Sequence, residues 1–215
     1  MAAKVKICGL DRAEAVDAAV DAGAAMTGFV FYNPSPRNLD IDIAGSLIRR
    51  VPAGVEKLGL FVDPEDTLIS EVTGAAQLDL LQLHGDETPE RVSELKDMTG
   101  LPVMKVFKIE SAADLERLEA YREVADRFLF DARAPKDMEN ALPGGNAVSF
   151  DWQLLSDLEI QTPWVLAGGL TAGNVAEAIH VSGADAVDVS SGVEDRPGVK
   201  NVAKIKAFVE AAASA

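Results

Sequence analysis

The stretch Trp164-Val165-Leu166-Ala167-Gly168-Gly169-Leu170, then the helix-like segment from Asn174 to Gly183, then Ala186-Val187-Asp188-Val189-Ser190-Ser191-Gly192, holds one complete repeat of this 215-residue chain. Both flanking runs are short and near-continuously hydrophobic, as expected of parallel strands buried on both faces. Between them, His180 reads as a helix C-terminal residue and Gly183 as the point where the helix stops and turns toward the next strand. Working outward, the same unit recurs. Earlier apolar runs lie at Val5–Ile7, Gly28–Phe31, Lys57–Val62, Asp79–Leu83, Val103–Phe107 and Phe128–Asp131, making eight in all. Eight strand–helix alternations predict an α/β fold, a single-domain (β/α)8 TIM barrel over residues 1–215. A doubly wound open sheet is the competitor; the first strand is not followed by Gly-x-Gly-x-x-Gly, which weakens a dinucleotide-binding version of it.

The segments between runs carry helix-start chemistry. Asp11 and Glu14 stand at capping-box spacing. Asp63-Pro64 and Thr88-Pro89 each set a capping side chain before a proline suited to the first helical position. Ser111 and Asp114 open a stretch whose Leu115, Leu118 and Ala112 share a face, and Gly23, Gly54 and Gly100 fall at helix stops. One interval is irregular. From Ala132 to Ser149 the chain carries Pro135, Pro143, Gly144, Gly145 and Asn146 with little periodicity, which reads either as a binding loop or as a surface insertion.

Composition narrows the function classes. An apolar fraction of 48% with 26% charged residues describes a soluble globular domain, and no run approaches the ~18 apolar residues of a membrane span. A formal charge of −15 argues against nucleic acid and against anionic membranes as partners. It also obliges any anionic substrate to find a local positive site. A single cysteine excludes an internal disulfide and fits a reducing cytosol; Met1-Ala2-Ala3-Lys4 runs directly into a strand, so a cytoplasmic protein is expected. Two histidines and one cysteine without clustered spacing make a metal site unfavourable.

In such barrels chemistry sits at the C-terminal ends of the strands and in the loops beyond. Cys8 ends the first run, Ser35-Pro36-Arg37 follows the second, His84-Gly85-Asp86-Glu87 follows the fourth, and Asp131 ends the sixth. Gly168 and Gly169 after the seventh, with Ser190, Ser191 and Gly192 after the eighth, fit a phosphate site built from backbone N–H groups, which needs no net positive charge. Cys8 and Asp131, on opposite sides of an eight-stranded ring, suit a general base and a general acid flanking one substrate. Lys6 shares a face with Cys8; it serves either to favour a thiolate or as structural partner to an interior carboxylate. Arg37, after a proline-stiffened turn, suits bidentate carboxylate binding or a surface role. His84 is either a substrate contact or a loop anchor. Taken singly, Cys8 also reads as a small buried hydrophobe and Asp131 as a helix cap.

Several stretches combine in a specific order: Lys6-Ile7-Cys8-Gly9-Leu10, Gly28-Phe29-Val30-Phe31 with Ser35-Pro36-Arg37, Leu83-His84-Gly85-Asp86-Glu87, Phe150-Asp151-Trp152, Leu166-Ala167-Gly168-Gly169-Leu170 with Asn174-Val175, and Asp188 to Glu194. Together they resemble the phosphoribosylanthranilate isomerase family. The resemblance implies a (β/α)8 fold without cofactor or metal and a phosphorylated aminosugar as the small-molecule partner, with tryptophan biosynthesis as the setting. A monomer or weak homodimer is expected. The resemblance also implies an Amadori rearrangement with Asp131 as acid and Cys8 as base, Arg37 on the anthranilate carboxylate, and the Gly168-Gly169 and Ser190-Ser191 backbones on phosphate. Lys6, His84, Asp188 and Gly192 complete the expected substrate site. The chain departs from the family at Gly144-Gly145-Asn146-Ala147, where Ala147 occupies a position at which glycine is usual.

Those roles set an energetic constraint. In water an aspartic acid ionises ~4.6 pH units below a cysteine thiol, so placing the proton on the carboxyl and the charge on sulfur costs roughly 6 kcal/mol. Lys6 is expected to lower the thiol's pKa, and the substrate carboxylate to raise that of the acid. Other phosphate-binding barrels, such as indole-3-glycerol-phosphate synthase or a histidine-pathway isomerase, fit less well. The former is expected to carry a lysine acid–base set, the latter an aspartate where Cys8 stands. A barrel that binds phosphosugar without turnover would leave the acid–base pair dispensable.

Overall fold

Strand alternation sorts the side chains of this molecule into an inner and an outer core. The computed structural model describes residues 2–135, 138, 142–156 and 158–215. Eight parallel strands close into a barrel in chain order: β1 (Lys4–Cys8), β2 (Met26–Val30), β3 (Glu56–Phe61), β4 (Leu80–Leu83), β5 (Val103–Ile109), β6 (Arg127–Ala132), β7 (Trp164–Leu166) and β8 (Ala186–Val189). Closure through the β1–β8 pair, in register from Lys4↔Ala186 to Ile7↔Val189, excludes the open doubly wound sheet. Inside, Met26, Leu58, Leu80, Met104, Leu129, Val165 and Ala186 form an apolar plug; above it Cys8, Val30 and Leu60 form a smaller cluster. The alternate residues, among them Ile7, Phe29, Phe61, Phe107 and Phe128, face outward into the main core beneath the helices.

Helices α1 (Ala13–Asp21), α2 (Ile41–Ile48), α3 (Asp66–Ala75), α4 (Pro89–Thr99), α5 (Val175–Ser182) and α6 (Val202–Ala213) surround the barrel. A short antiparallel pair, β9 (Glu194–Arg196) and β10 (Val199–Lys200), follows β8. None of the described helices is long and apolar enough to cross a membrane. The expected caps hold in part. Thr88 caps α4, accepting from Arg91 N–H, with Pro89 in its first turn. Gly100 and Gly183 end α4 and α5 in the left-handed conformation. The box expected at Asp11 and Glu14 is absent, because α1 starts at Ala13 after an extended Arg12. Ser111 and Asp114 do form a capping box, but what they open is a 3-10 helix over Ala112–Tyr121. Leu115, Leu118 and Tyr121 are spaced three apart, and at three residues per turn they share one face. Leu118 and Tyr121 are buried there, whereas Ala112 is exposed.

Asp63 does not cap α3; its backbone turns to φ 44° and its carboxylate accepts from Asp86 N–H at 2.7 Å. The loop after β3 is thereby tied to the loop after β4, which carries His84. Glu87 tightens the same junction. Its Oε1 accepts from the N–H groups of Asp63 (2.9 Å) and Gly85 (3.0 Å), and its Oε2 from Lys105 Nζ (2.8 Å). Lys105 also donates to Gly85 O at 2.8 Å, and both side chains of the pair are buried. Burial holds the Lys105 pKa below the ordinary lysine value despite the opposing pull of Glu87.

The irregular stretch 132–149 lies only partly within the described residues, and its later part covers the open end of the barrel. Asn146 closes a small ring there, accepting from Leu142 N–H and donating to Leu142 O. Ala147 takes φ 57°. That backbone accounts physically for glycine at this position, since a Cβ crowds the following carbonyl in the left-handed region.

Three substitutions test this description by equilibrium unfolding in urea. Ala147→Gly relieves the left-handed strain at some entropic cost and is expected to stabilise by about 0.5–1 kcal/mol; a lower midpoint at unchanged slope would show that no strain is stored there. Glu87→Gln leaves the Lys105 ammonium buried without its counter-charge and is expected to cost about 3–5 kcal/mol. Removing the neighbouring helix cap, Thr88→Ala, costs only about 1 kcal/mol by comparison. Equal losses in the two variants would contradict the importance of the buried pair.

Candidate active site

The C-terminal ends of the strands open into a cleft. Cys8, Arg37, His84, Asp131, Gly168, Gly169, Asp188, Ser190, Ser191 and Gly192 all line it. Strand order explains the convergence. Inward positions at the tops of β1, β6 and β8 supply Cys8, Asp131 and Asp188, and the loops beyond β2, β4, β7 and β8 supply the others.

Lys6 is the exception and a correction to the substrate-contact reading. It is fully buried below Cys8, outside the cleft lining, with Nζ 2.9 Å from Asp188 Oδ1. It is the structural partner of an interior carboxylate. Burial would lower its pKa, but Asp188 and Cys8 outweigh burial and the value is raised. Space for this group comes from Gly28 on β2, where a Cβ would stand 3.0 Å from Cys8 Sγ and 3.2 Å from Lys6 Nζ. Lys6 does pull the Cys8 pKa down, as expected, but it does not act alone. Burial pushes the Cys8 thiol up, Lys6 pulls it down, Asp188 pushes it up again, and Lys200 pulls it down. Burial prevails, so the resting group is a protonated thiol with a pKa above its ordinary value.

Across the cleft, Asp131 Oδ1 accepts from the Ala132 N–H at 2.8 Å, and its Oδ2 lies 3.2 Å from His84 Nε2. The contact misses hydrogen-bond alignment, which leaves His84 Nε2 a buried polar atom without a partner among the described residues. On its other side, His84 Nδ1 is 3.4 Å from Gln82 Nε2. Gly144 packs over both, so closely that a Cβ there would fall 2.6 Å from the His84 ring and 2.7 Å from Asp131 Oδ2. The irregular segment therefore reaches the acid side of the site.

Arg37 is buried, and the bidentate pairing expected of it is made within the protein. Its Nε and Nη2 each lie 2.8 Å from the carboxylate of Glu194. Nη2 also lies 3.4 Å from Gly145 O, which brings the guanidinium against the covering loop. Glu194 is held again by Lys200 Nζ at 2.6 Å; burial raises its pKa, Arg37 and Lys200 lower it, and the balance lies below the ordinary glutamate value. In the loops after β7 and β8, Gly168 and Gly169 take φ of 89° and 64°, and Ser191–Val193 forms a short 3-10 turn. These glycine- and serine-rich loops line the cleft, and their backbone can approach a bound group closely.

Sequence reading missed Lys200 and Gln82, and assigned no role to Glu194. Lys200 lies on a two-residue strand and in sequence looks like any surface lysine. Only the β9–β10 turn brings it under the cleft. Gln82 was detectable: it is a polar residue inside the apolar run Leu80–Leu83, at an inward position two residues before His84.

Comparison with known proteins agrees with this geometry. The family model described as N-(5'phosphoribosyl)anthranilate (PRA) isomerase matches residues 5–211. The N-(5'-phosphoribosyl)anthranilate isomerase of Paramagnetospirillum magneticum is 55% identical over 99% of this chain and 98% of its own length. That of Rhodospirillum centenum is 53% identical over the full length of both. Among solved structures, the Thermotoga maritima phosphoribosyl anthranilate isomerase superposes with a TM-score of 0.86 at 34% identity, covering 99% of this chain and 100% of the other. A structure of phosphoribosyl anthranilate isomerase in complex with reduced 1-(o-carboxyphenylamino)-1-deoxyribulose 5-phosphate gives 0.83 at 34%, with the same coverage. With that extent of match and that identity, the chain belongs to the N-(5'-phosphoribosyl)anthranilate isomerase family.

Proposed function

We propose that this chain converts N-(5-phosphoribosyl)anthranilate to 1-(2-carboxyphenylamino)-1-deoxyribulose 5-phosphate, an aldose–ketose isomerisation in tryptophan biosynthesis. The observation that carries the reading is one cleft with Cys8 and Asp131 facing into it from β1 and β6 and the glycine- and serine-rich loops of β7 and β8 forming a wall. The relative crystallised with a reduced phosphorylated carboxyphenylamino sugar supports a substrate with anionic groups at both ends.

In the proposed sequence Asp131 protonates the furanose ring oxygen, the C1–O bond breaks, and the nitrogen lone pair forms the C1 iminium. The Cys8 thiolate then takes the proton from C2. The C2–H electron pair becomes the C1–C2 double bond and the iminium electrons return to nitrogen, giving an enolamine. Tautomerisation yields the ketone. C1 is reduced and C2 oxidised within one molecule, so no external redox carrier is consumed. The N–H groups around Gly168-Gly169 and Ser190-Ser191 receive the phosphate. Arg37, whose Nε and Nη2 are engaged by Glu194, meets the anthranilate carboxylate with what remains of its guanidinium. All of these groups come from one chain. A monomer or weak homodimer therefore suffices, and residues 1–215 act as one catalytic barrel. A working thiol calls for a reducing compartment, which supports the cytoplasmic reading.

Cys8→Ser and Asp131→Asn, made separately, are each expected to lower kcat by about 10²–10⁴-fold, followed as loss of substrate fluorescence. Near-wild-type turnover in both would sink the acid–base assignment. In the free enzyme, the pH dependence of Cys8 alkylation by iodoacetamide should have its midpoint above the ~8.5 of an unperturbed thiol. A midpoint below that value would mean that the Lys6 charge, and not burial, governs the sulfur.

A further inference from the structure

Lys200 is a fully buried cation that neither gives nor takes a proton in the proposed sequence. Its ammonium has three donors, and three acceptors meet it: Ser190 O at 3.0 Å, Ser190 Oγ at 3.1 Å and Glu194 Oε1 at 2.6 Å. Each contact has a consequence at the cleft. In a trans peptide the N–H of one residue points opposite to the preceding carbonyl, so holding Ser190 O fixes the direction of the Ser191 N–H. Because Ser190 Oγ accepts from Lys200, its own hydrogen is left to donate elsewhere, and Ser190 lines the cleft. Through Glu194 the same ammonium reaches Arg37, whose Nε and Nη2 are both fixed at 2.8 Å by that carboxylate. The Gly198 N–H donates to Glu194 Oε2 at 3.2 Å and anchors the β9–β10 turn to the cluster. With both bases protonated, Arg37 and Lys200 around one carboxylate leave one positive charge in excess beneath the cleft, in a chain of formal charge −15; burial holds the Lys200 pKa below the ordinary lysine value, and Glu194 pulls it back up.

We propose that Lys200 is the positioning residue of the anion site: it holds the Ser190–Ser191 peptide from behind and, through Glu194, locks Arg37, so that both anionic ends of the substrate are received by one buried cluster. The proposal rests on the reading of the β7 and β8 loops as a phosphate cradle and adds the group that fixes that cradle and supplies its charge. Lys200 itself does not line the cleft, so its effect is indirect.

The test compares wild type with Lys200→Met and Lys200→Gln, measuring KM, kcat, the inhibition constant of inorganic phosphate and that of anthranilate. A charge-assisted hydrogen bond is worth about 1.5–3 kcal/mol, or about 10–150-fold in binding. Lys200→Met is expected to raise the phosphate inhibition constant and KM at least about tenfold on this basis, with anthranilate weakened alongside and kcat changed much less. Lys200→Gln keeps a neutral donor for Ser190 O and should fall between the two; it also covers the case in which the methionine variant does not fold. A merely structural lysine would lower the melting temperature and leave both inhibition constants as they were. Unchanged constants in a folded variant, with wild type inhibited by phosphate, overturn the Lys200 proposal alone. Absence of phosphate inhibition in wild type overturns the cradle reading and this proposal with it.

Discussion

Burying an ammonium group costs several kcal/mol unless a carboxylate and further acceptors meet it, and this barrel meets that requirement three times at one end. Lys6 pairs with Asp188, Lys105 with Glu87 and Lys200 with Glu194, and each of the three lysines is at most 3% exposed at its side chain. The apolar plug of Met26, Leu58, Leu80 and Met104 offers no polar partner, so the pairs stand above it or beside it. Two of them fasten loops and the third joins strands. Lys105 holds the loop carrying His84, Lys200 holds the loop carrying Ser190 and Ser191, and Lys6 ties β1 to β8 beneath Cys8. Replacing such a pair by hydrocarbon need not cost stability. What hydrocarbon cannot supply is direction for a carbonyl or an amide at the rim of the cleft.

The charge arithmetic of the three clusters is unequal. Lys6 with Asp188 and Lys105 with Glu87 are each neutral, whereas Arg37, Lys200 and Glu194 leave one positive charge over. The excess therefore sits where Arg37 and the Ser190–Ser191 loop meet the cleft. An acidic protein can in this way attract a doubly anionic substrate without exposing a basic patch. The local field of a buried, water-poor cluster outweighs remote surface carboxylates that salt screens over about 8 Å at physiological ionic strength.

The barrel was legible because its evidence is local and repeated. Each apolar run falls on a strand, and the glycines at 100 and 183 end helices as their position indicates. The cleft residues were legible for a related reason: a polar residue at the end of a buried run has one place to go in this architecture. The failures are of another kind. Lys6 shares its strand face with Cys8, as period-two alternation requires, but depth along the strand decides whether a side chain meets solvent or a carboxylate. Arg37 was read as free for a substrate because its partner Glu194 lies 157 residues away. Lys200 gave no signal, since nothing in its own neighbourhood distinguishes it from a surface lysine. At Ala112–Tyr121 the three-residue spacing of Leu115, Leu118 and Tyr121 was present in the sequence, and the segment it marks is a 3-10 helix.

The protonated thiol of the resting site bears on how a cysteine can be the base. Raising a thiol's pKa by one unit makes its thiolate about tenfold rarer at neutral pH, while the thiolate that does form is a stronger base. Proton abstraction gains less than the full factor, because Brønsted coefficients lie below one. A high pKa alone therefore slows the reaction. The loss is offset only if the charged form is stabilised at the moment it is needed, and the iminium of the proposed ring opening would be a cation formed in the same cleft as Cys8. Lys6 already pulls the thiol toward ionisation without prevailing. A second positive charge close to sulfur acts in the same direction, with little water to screen it. On the proposed assignment, a resting thiol whose pKa burial holds above the ordinary value must lose its proton before it can take one from C2, and a cation formed nearby by the acid step would favour that ionisation.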